Sequence, residues 1–139
     1  MRKRIILGTF VLACALGGCG GQSTSSPTSV SVNGNYSGTI QDSFYGAGSI
    51  QLTLSQTGGS LMGTYQDAFP AVGAASGGSL TGTVNNGVSL SATLTPGNPT
   101  ICPFNLTGSI TNGGAAISGT YSAFNCTGTE TGTFSVTRQ

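Results

Sequence analysis

One short pattern, repeated along most of the chain, restricts the fold more than any other feature. It runs apolar residue, small polar residue, glycine, threonine or serine, apolar residue. It reads Tyr36-Ser37-Gly38-Thr39-Ile40, Leu61-Met62-Gly63-Thr64-Tyr65, Leu80-Thr81-Gly82-Thr83-Val84, Leu106-Thr107-Gly108-Ser109-Ile110 and Ile117-Ser118-Gly119-Thr120-Tyr121. Glu130-Thr131-Gly132-Thr133-Phe134 repeats it with glutamate in first place. Leu90-Ser91-Ala92-Thr93-Leu94 and Ile50-Gln51-Leu52-Thr53-Leu54 carry alanine and leucine where the others have glycine. Side chains along a strand point alternately to its two faces, so each segment has one face of apolar groups and glycine and one of hydroxyls. That is the signature of a half-buried β-strand, and threonine suits its solvated face. The sequence therefore predicts an all-β domain of about eight strands.

The links between segments predict their order in space. With Val84 and Val88 both on the apolar face, three residues remain for a turn, and Asn85-Asn86-Gly87 fits, with Gly87 left-handed. A turn at Thr57-Gly58 joins Leu54 to Leu61, and one around Gly113-Gly114 joins Ile110 to Ile117. Consecutive antiparallel strands with one apolar face close most simply into an up-and-down meander barrel, which leaves no edge strand exposed; a two-sheet β-sandwich is the alternative. Eight strands leave a bore just wide enough for side chains. The inward glycines then either let the strands coil and make room for Tyr36, Tyr65, Tyr121, Phe104 and Phe134, or hollow out a ligand cavity. A membrane-spanning barrel is a further, less favoured alternative: its interior would need charged networks, and its lipid-facing band would have to hold the repeated glycines and Glu130.

Charged residues are 5% of the 139, and Arg2, Lys3 and Arg4 hold three of the four basic side chains. Beyond them only Asp42, Asp67, Glu130 and Arg138 are charged. One basic side chain gives no electrostatic footprint for nucleic acid. Histidine is absent, which removes the usual general base and metal ligand. No lysine follows Lys3, so Schiff-base chemistry and a phosphate-binding Gly-rich loop have no residue to use. Neither a metal nor a cofactor is expected, and the domain is expected not to be an enzyme. Asp42 and Asp67, in Gly-, Ala- and aromatic-rich stretches, are expected to be solvated loop residues.

The N-terminus carries an address. Arg2-Lys3-Arg4 precedes an apolar run from Ile5 to Leu16, too short for an ordinary membrane-spanning helix and laid out as a secretory signal. The run ends Leu16-Gly17-Gly18-Cys19, which resembles the bacterial lipobox. The resemblance implies a lipoprotein precursor, with lipid on the Cys19 thiol, removal of residues 1–18, and, with Gly20 next, residence at the outer membrane on its periplasmic or outer face. Cys14, after Leu12-Ala13, is a rival site with a bulkier residue before it. Residues 19–29 then form the lipidated cysteine and a Gly/Ser/Thr tether, whose last ten residues span roughly 17–19 Å on average; the barrel domain is 30–139. The strand motif also loosely resembles small eight-stranded avidin- and lipocalin-like barrels, although the missing tryptophan removes the aromatic box that likeness would imply for biotin. Lipoproteins that inhibit lysozyme are similar in barrel, anchor and disulfide, but their inhibitory lysine has no counterpart in this domain.

Cys102 and Cys126 remain as a pair in an exported domain. Pairing Ile110 with Ile117 puts position 102 opposite 125, so a disulfide between them is expected. A meander also sorts the loops: the tight turns fall at the end where the tether enters, and the longer connections 41–48, 67–78, 95–101 and 122–127 fall at the other. Long loops on a rigid scaffold are the usual seat of function. Asp42, Tyr45, Asp67, Phe69, Tyr121, Phe124 and Glu130 gather there as candidate ligand-binding residues, for a small molecule, glycan or protein partner. The alternative is a structural envelope protein, its barrel end merely plugged by aromatics and its one partner the membrane lipid. Glu130, facing inward, needs a hydrogen-bond partner, and a tyrosine hydroxyl is the expected one.

Overall fold

The computed structural model describes residues 30–127 and 129–139; the signal segment, Cys19 and the tether expected at 1–29 lie outside them. Eight strands follow in order: β1 (Gly34–Asp42), β2 (Gly46–Thr57), β3 (Ser60–Phe69), β4 (Ala74–Asn85), β5 (Ser89–Pro96), β6 (Phe104–Thr111), β7 (Ala116–Ala123) and β8 (Thr131–Arg138). Each pairs antiparallel with the next, and β8 pairs with β1, closing an up-and-down barrel. The expected fold is the observed one, and the sandwich is excluded. One 3-10 turn, Asn112–Gly114, links β6 to β7.

The alternation read from the sequence survives closure. Along β2, Ile50, Leu52 and Leu54 are buried between exposed neighbours, and along β6 Phe104, Leu106 and Ile110 are buried. The outward positions carry Ser, Thr and Gln, the reverse of a barrel that spans a bilayer, where the outer band is apolar. The bore is filled by Leu, Ile and aromatic side chains, with Tyr36, Leu61, Leu80 and Val136 each about 1% exposed.

The recurring glycines bring strands together more than they empty the bore. A Cβ added at Gly38 would lie 1.9 Å from the Ser135 carbonyl oxygen on β8, and one at Gly119 would lie 1.9 Å from that of Thr107 on β6. No side chain fits where neighbouring backbones approach so closely. At Gly132 and Gly48 an aromatic side chain crowds in beside the neighbouring backbone: a Cβ at Gly132 would meet the Tyr121 hydroxyl at 2.3 Å and the Gln41 carbonyl oxygen at 2.4 Å, and one at Gly48 the Ala68 carbonyl oxygen at 2.5 Å and the Phe69 ring at 2.6 Å.

Two turns sit one residue later than the sequence predicts. Thr57 pairs with Ser60, so the β2–β3 turn is Gly58-Gly59, and Asn85 pairs with Ser89, so the β4–β5 turn is Asn86-Gly87-Val88. The backbone decides both: Gly58, Asn86 and Gly87 all have positive φ, and the turn forms where those residues can supply it. Val88 consequently points to solvent, and Leu90 takes the expected core place opposite Val84. The Ile110–Ile117 pairing is as expected.

The end where the chain enters is sealed. Val32 is fully buried and donates its N–H to the Gln56 side chain (3.0 Å). Val30 lies against Gly87, where a Cβ would come within 2.8 Å of it. The Arg138 guanidinium donates to the Ser31 carbonyl (2.6 Å) and the Tyr36 hydroxyl (2.9 Å), which itself donates to the Gly114 carbonyl (2.6 Å). Arg138 also lies over the Tyr36 ring, 5.4 Å from its centre.

Candidate functional site

The opposite end is less completely filled. Two of its loops are shorter than the sequence suggests: pairing runs on to Asp42↔Gly46 and Phe69↔Ala74, leaving only 43–45 and 70–73 as loop. The small residues of 46–48 and 74–78, read as loop because they lack bulk, instead extend β2 and β4. The longer connections are 97–103 and 124–130, and the Cys102–Cys126 disulfide joins them, as expected, with a Cα–Cα distance of 6.1 Å. It lies just beyond the last rung of the β6–β7 ladder, Phe104↔Ala123.

Asp42 is not a solvated loop residue. It ends β1 and is 4% exposed. Its Oδ1 accepts the backbone N–H groups of Phe44 (2.7 Å) and Tyr45 (3.0 Å), and its Oδ2 accepts the Tyr121 hydroxyl. The first two bonds form an Asx-type turn that shapes the β1–β2 hairpin. Asp67 lies within β3, half-buried, and both its oxygens engage Ser76 on β4, the backbone N–H at 2.9 Å and the hydroxyl at 3.0 Å. Burial raises its pKa; the Ser76 bonds oppose that rise and the Asp42 charge adds to it.

Glu130 enters β8 half-buried, its carbonyl accepting the Ala123 N–H at 2.8 Å, so its side chain turns toward the bore. The tyrosine expected to bond it, Tyr121, donates to Asp42 instead. Glu130 lies beside Asp42, and its pKa rises to about 7 because burial, the Asp42 charge, a proton shared with Asp42, and the Asp67 charge all favour the neutral acid. Burial and the bond to Asp42 push the Tyr121 hydroxyl up as well.

Between these groups lies a cavity of about 70 Å³. Its walls are mostly apolar, from Ile40, Ile50, Leu94, Ile101 and Phe104, with Asp67, Ser76, Tyr121 and Glu130 as the polar contributors. Tyr45, 41% exposed, and Phe69 stand at its entrance with ring centres 5.3 Å apart. Phe104 and Tyr121 meet edge to face behind it. The wider depressions of the barrel, about 320–430 Å³, are open troughs on the hydroxyl-bearing outer wall.

Five of the seven candidate residues therefore line one cavity: Tyr45, Asp67, Phe69, Tyr121 and Glu130. Asp42 adjoins it through Tyr121, and Phe124, half-buried, stands outside its wall. Ile101, Leu94 and Ser76 belong to the wall and were not anticipated. The inward alternation of β5 contained the signal for Leu94, whereas nothing local marks Ser76. Tyr65, 1% exposed, has a hydroxyl with no hydrogen-bond partner. Ser76 bears on that hydroxyl but gives its own proton to Asp67; burial raises the Tyr65 pKa, and the Asp67 charge adds to the rise. Among the described residues, no group of three His, Cys, Asp or Glu side chains is arranged to hold a metal ion.

No protein-family model matches this chain, and no curated protein matches it. Solved structures do. A redesigned β-barrel is similar with a TM-score of 0.64 at 11% identity, over 78% of this chain and 91% of that one. EF1p2_mFAP2b, in a structure bound to DFHBI, is similar with a TM-score of 0.66 at 12% identity, over 78% of this chain and 94% of that one. At such identities the likeness is one of fold.

Proposed function

We propose that this chain is a bacterial envelope lipoprotein, held at the outer membrane through Cys19, whose non-catalytic barrel takes a small molecule at the mouth farthest from that membrane. The observation that carries the binding part is the mouth cavity, apolar in most of its wall with a few polar groups converging on it, the usual make-up of a ligand site. EF1p2_mFAP2b, a barrel of similar fold, is bound to DFHBI, which is consistent with this use of the scaffold. The anchor rests on the lipobox likeness of Leu16-Gly17-Gly18-Cys19. Orientation follows from the two together: the chain enters at the sealed end, so a tether from Cys19 leaves the mouth facing outward. With no histidine in the chain and no lysine after Lys3, we read the carboxyl groups at the mouth as binding groups.

The cavity is far smaller than the roughly 300–1,000 Å³ of drug-sized sites. A glycan would lie across Tyr45 at the rim rather than inside. The filled bore also favours a second reading, a structural envelope protein with no discrete ligand. A fragment screen read by NMR, on wild type and on Tyr45→Ala, Phe69→Ala and Glu130→Gln, separates these. Ligands that lose affinity in the variants support the mouth; ligands indifferent to all three place the site elsewhere; a folded protein that binds none supports the structural reading. For the anchor, a palmitate analogue should label wild type and Cys14→Ser but not Cys19→Ser, and label surviving in Cys19→Ser would reject it.

A further inference from the structure

Asp42, Asp67 and Glu130 come from β1, β3 and the start of β8, far apart in sequence, and share one mouth. The only basic side chain among the described residues, Arg138, is tied to Ser31, Tyr36 and Gly114 at the other end. Two carboxyl groups, Asp67 and Glu130, thus line a largely apolar cavity, Asp42 adjoins it through Tyr121, and among the described residues no basic side chain lies at that end. A buried negative charge left unpaired is costly, and it either takes up a proton or recruits a positive partner. The cavity wall also includes Ser76, next to the buried Tyr65 hydroxyl that lacks a partner. The rings of Tyr45 and Phe69 line the same cavity, and aromatic faces attract cations.

We propose that the mouth cavity binds a small organic cation, a primary ammonium on a short apolar body. The ammonium sits between Glu130 and Asp67, and the alkyl part lies against Ile101, Leu94 and Phe104. This rests on reading the mouth as a binding site and names the class of its ligand. Room for about five water-sized groups sets the ligand at roughly five heavy atoms. A hard metal ion does not suit so apolar a wall, and the three carboxyl groups are not disposed as a metal site.

The cation competes with a proton. Glu130 is faced by Asp42 from β1, Asp67 from β3 and Tyr121 from β7; burial first, then the bond and charge of Asp42 and the charge of Asp67, raise its pKa to about 7. Only ionised Glu130 attracts an ammonium, so binding releases a proton from the carboxyl. For a group titrating at that pH, the ionised fraction rises about tenfold from pH 6 to pH 8, and affinity follows it.

The test is an NMR titration of the purified full chain with n-butylammonium, butan-1-ol, butyrate and calcium chloride, at pH 6 and pH 8. n-Butylammonium at pH 8 should shift the Ala75, Ser76 and Ile101 amides with a Kd on the order of 1 mM, fitting so small a ligand. Butan-1-ol and butyrate should bind at least tenfold more weakly, and n-butylammonium about tenfold more weakly at pH 6. Glu130→Gln should remove the pH dependence and weaken the pH 8 affinity at least fivefold; Asp67→Asn, which keeps its side-chain acceptor for Ser76, should weaken it while retaining the pH dependence. Butan-1-ol binding as well as n-butylammonium would overturn the cation preference while leaving the mouth a binding site. Displacement of n-butylammonium by calcium chloride beyond the effect of ionic strength would overturn the ligand class. No shift with any of the four would remove both this inference and the binding reading on which it rests.

Discussion

Replacing Glu130 with glutamine should change how the stability of the barrel depends on pH. In the folded protein Glu130 titrates at about 7 instead of its ordinary 4.5. Folded chains therefore hold a proton that unfolded chains release between those values, so wild-type stability falls as pH rises through that window. Below pH 4.5 both states are protonated and the penalty is absent; above pH 7 both are ionised and it is complete. A rise of that size corresponds to roughly 3 kcal/mol in a dry site. Water reaches Glu130 at the rim and screens its neighbours, which reduces the penalty to about 1 kcal/mol. Glutamine keeps the shape, cannot ionise, and can still donate to Asp42. Urea denaturation of wild type and Glu130→Gln from pH 4.5 to pH 8 measures the effect. The variant should gain about 1 kcal/mol on wild type over that range, with most of the gain between pH 5 and 7. The raised pKa of Asp67 acts in both proteins and largely drops out of the difference. Parallel stability curves would refute the crowding of the three acids at the mouth.

Removing the disulfide with Cys102→Ala and Cys126→Ala together should cost about 3–4 kcal/mol, from a cross-link that closes a loop of about 25 residues; equal urea midpoints for oxidised wild type and the double variant would contradict it. Gly119→Ala places a methyl group 1.9 Å from the Thr107 carbonyl oxygen, and should lose about 2–3 kcal/mol as the strands move apart. Thermal unfolding checks this against Gly59→Ala, where a Cβ would meet nothing closer than 3.6 Å. Tyr36→Phe leaves Arg138 without one acceptor and Gly114 without one donor, and should cost about 1.5–3 kcal/mol. Exchange of the Val32 amide hydrogen should quicken in that variant; unchanged protection would mean that Arg138 does not seal the end.

The strands were legible because their alternation is local and strong. Residues 50–54 or 106–110 declare a buried face without reference to the rest of the chain, and a Gly-rich turn after each declares the reversal. Turn positions were legible only to within one residue. That Val88 turns to solvent and Leu90 sits opposite Val84 depends on which residues take up positive φ, and apolarity does not report that. At the mouth, aromatic and acidic residues in the interstrand stretches pointed to the right end of the barrel. Five of the seven anticipated residues share the cavity, yet Asp42 proved to be the hairpin's own hydrogen-bond acceptor. Asp-Ser-Phe-Tyr-Gly is a sequence in which an Asx-type turn could have been foreseen. The partnership of Asp67 with Ser76 could not, since it depends on the register of β3 against β4.

By itself, then, the sequence determined the all-β class, the strand order, the closed meander and the pairing of Cys102 with Cys126. Each follows from period-two alternation, short reversals and an even cysteine count, properties set by neighbours along the chain. Tertiary structure alone decided how the two ends differ. Closure brings Arg138 and Val32 across one end and three carboxyl groups, without a basic side chain among the described residues beside them, to the other, through contacts between residues as far apart as positions 31 and 138. Closure also decided what the inward glycines do, since a missing side chain can leave a void or admit a neighbouring strand. The Ser135 and Thr107 carbonyl oxygens occupy that space beside Gly38 and Gly119, so the bore fills and only the mouth keeps room.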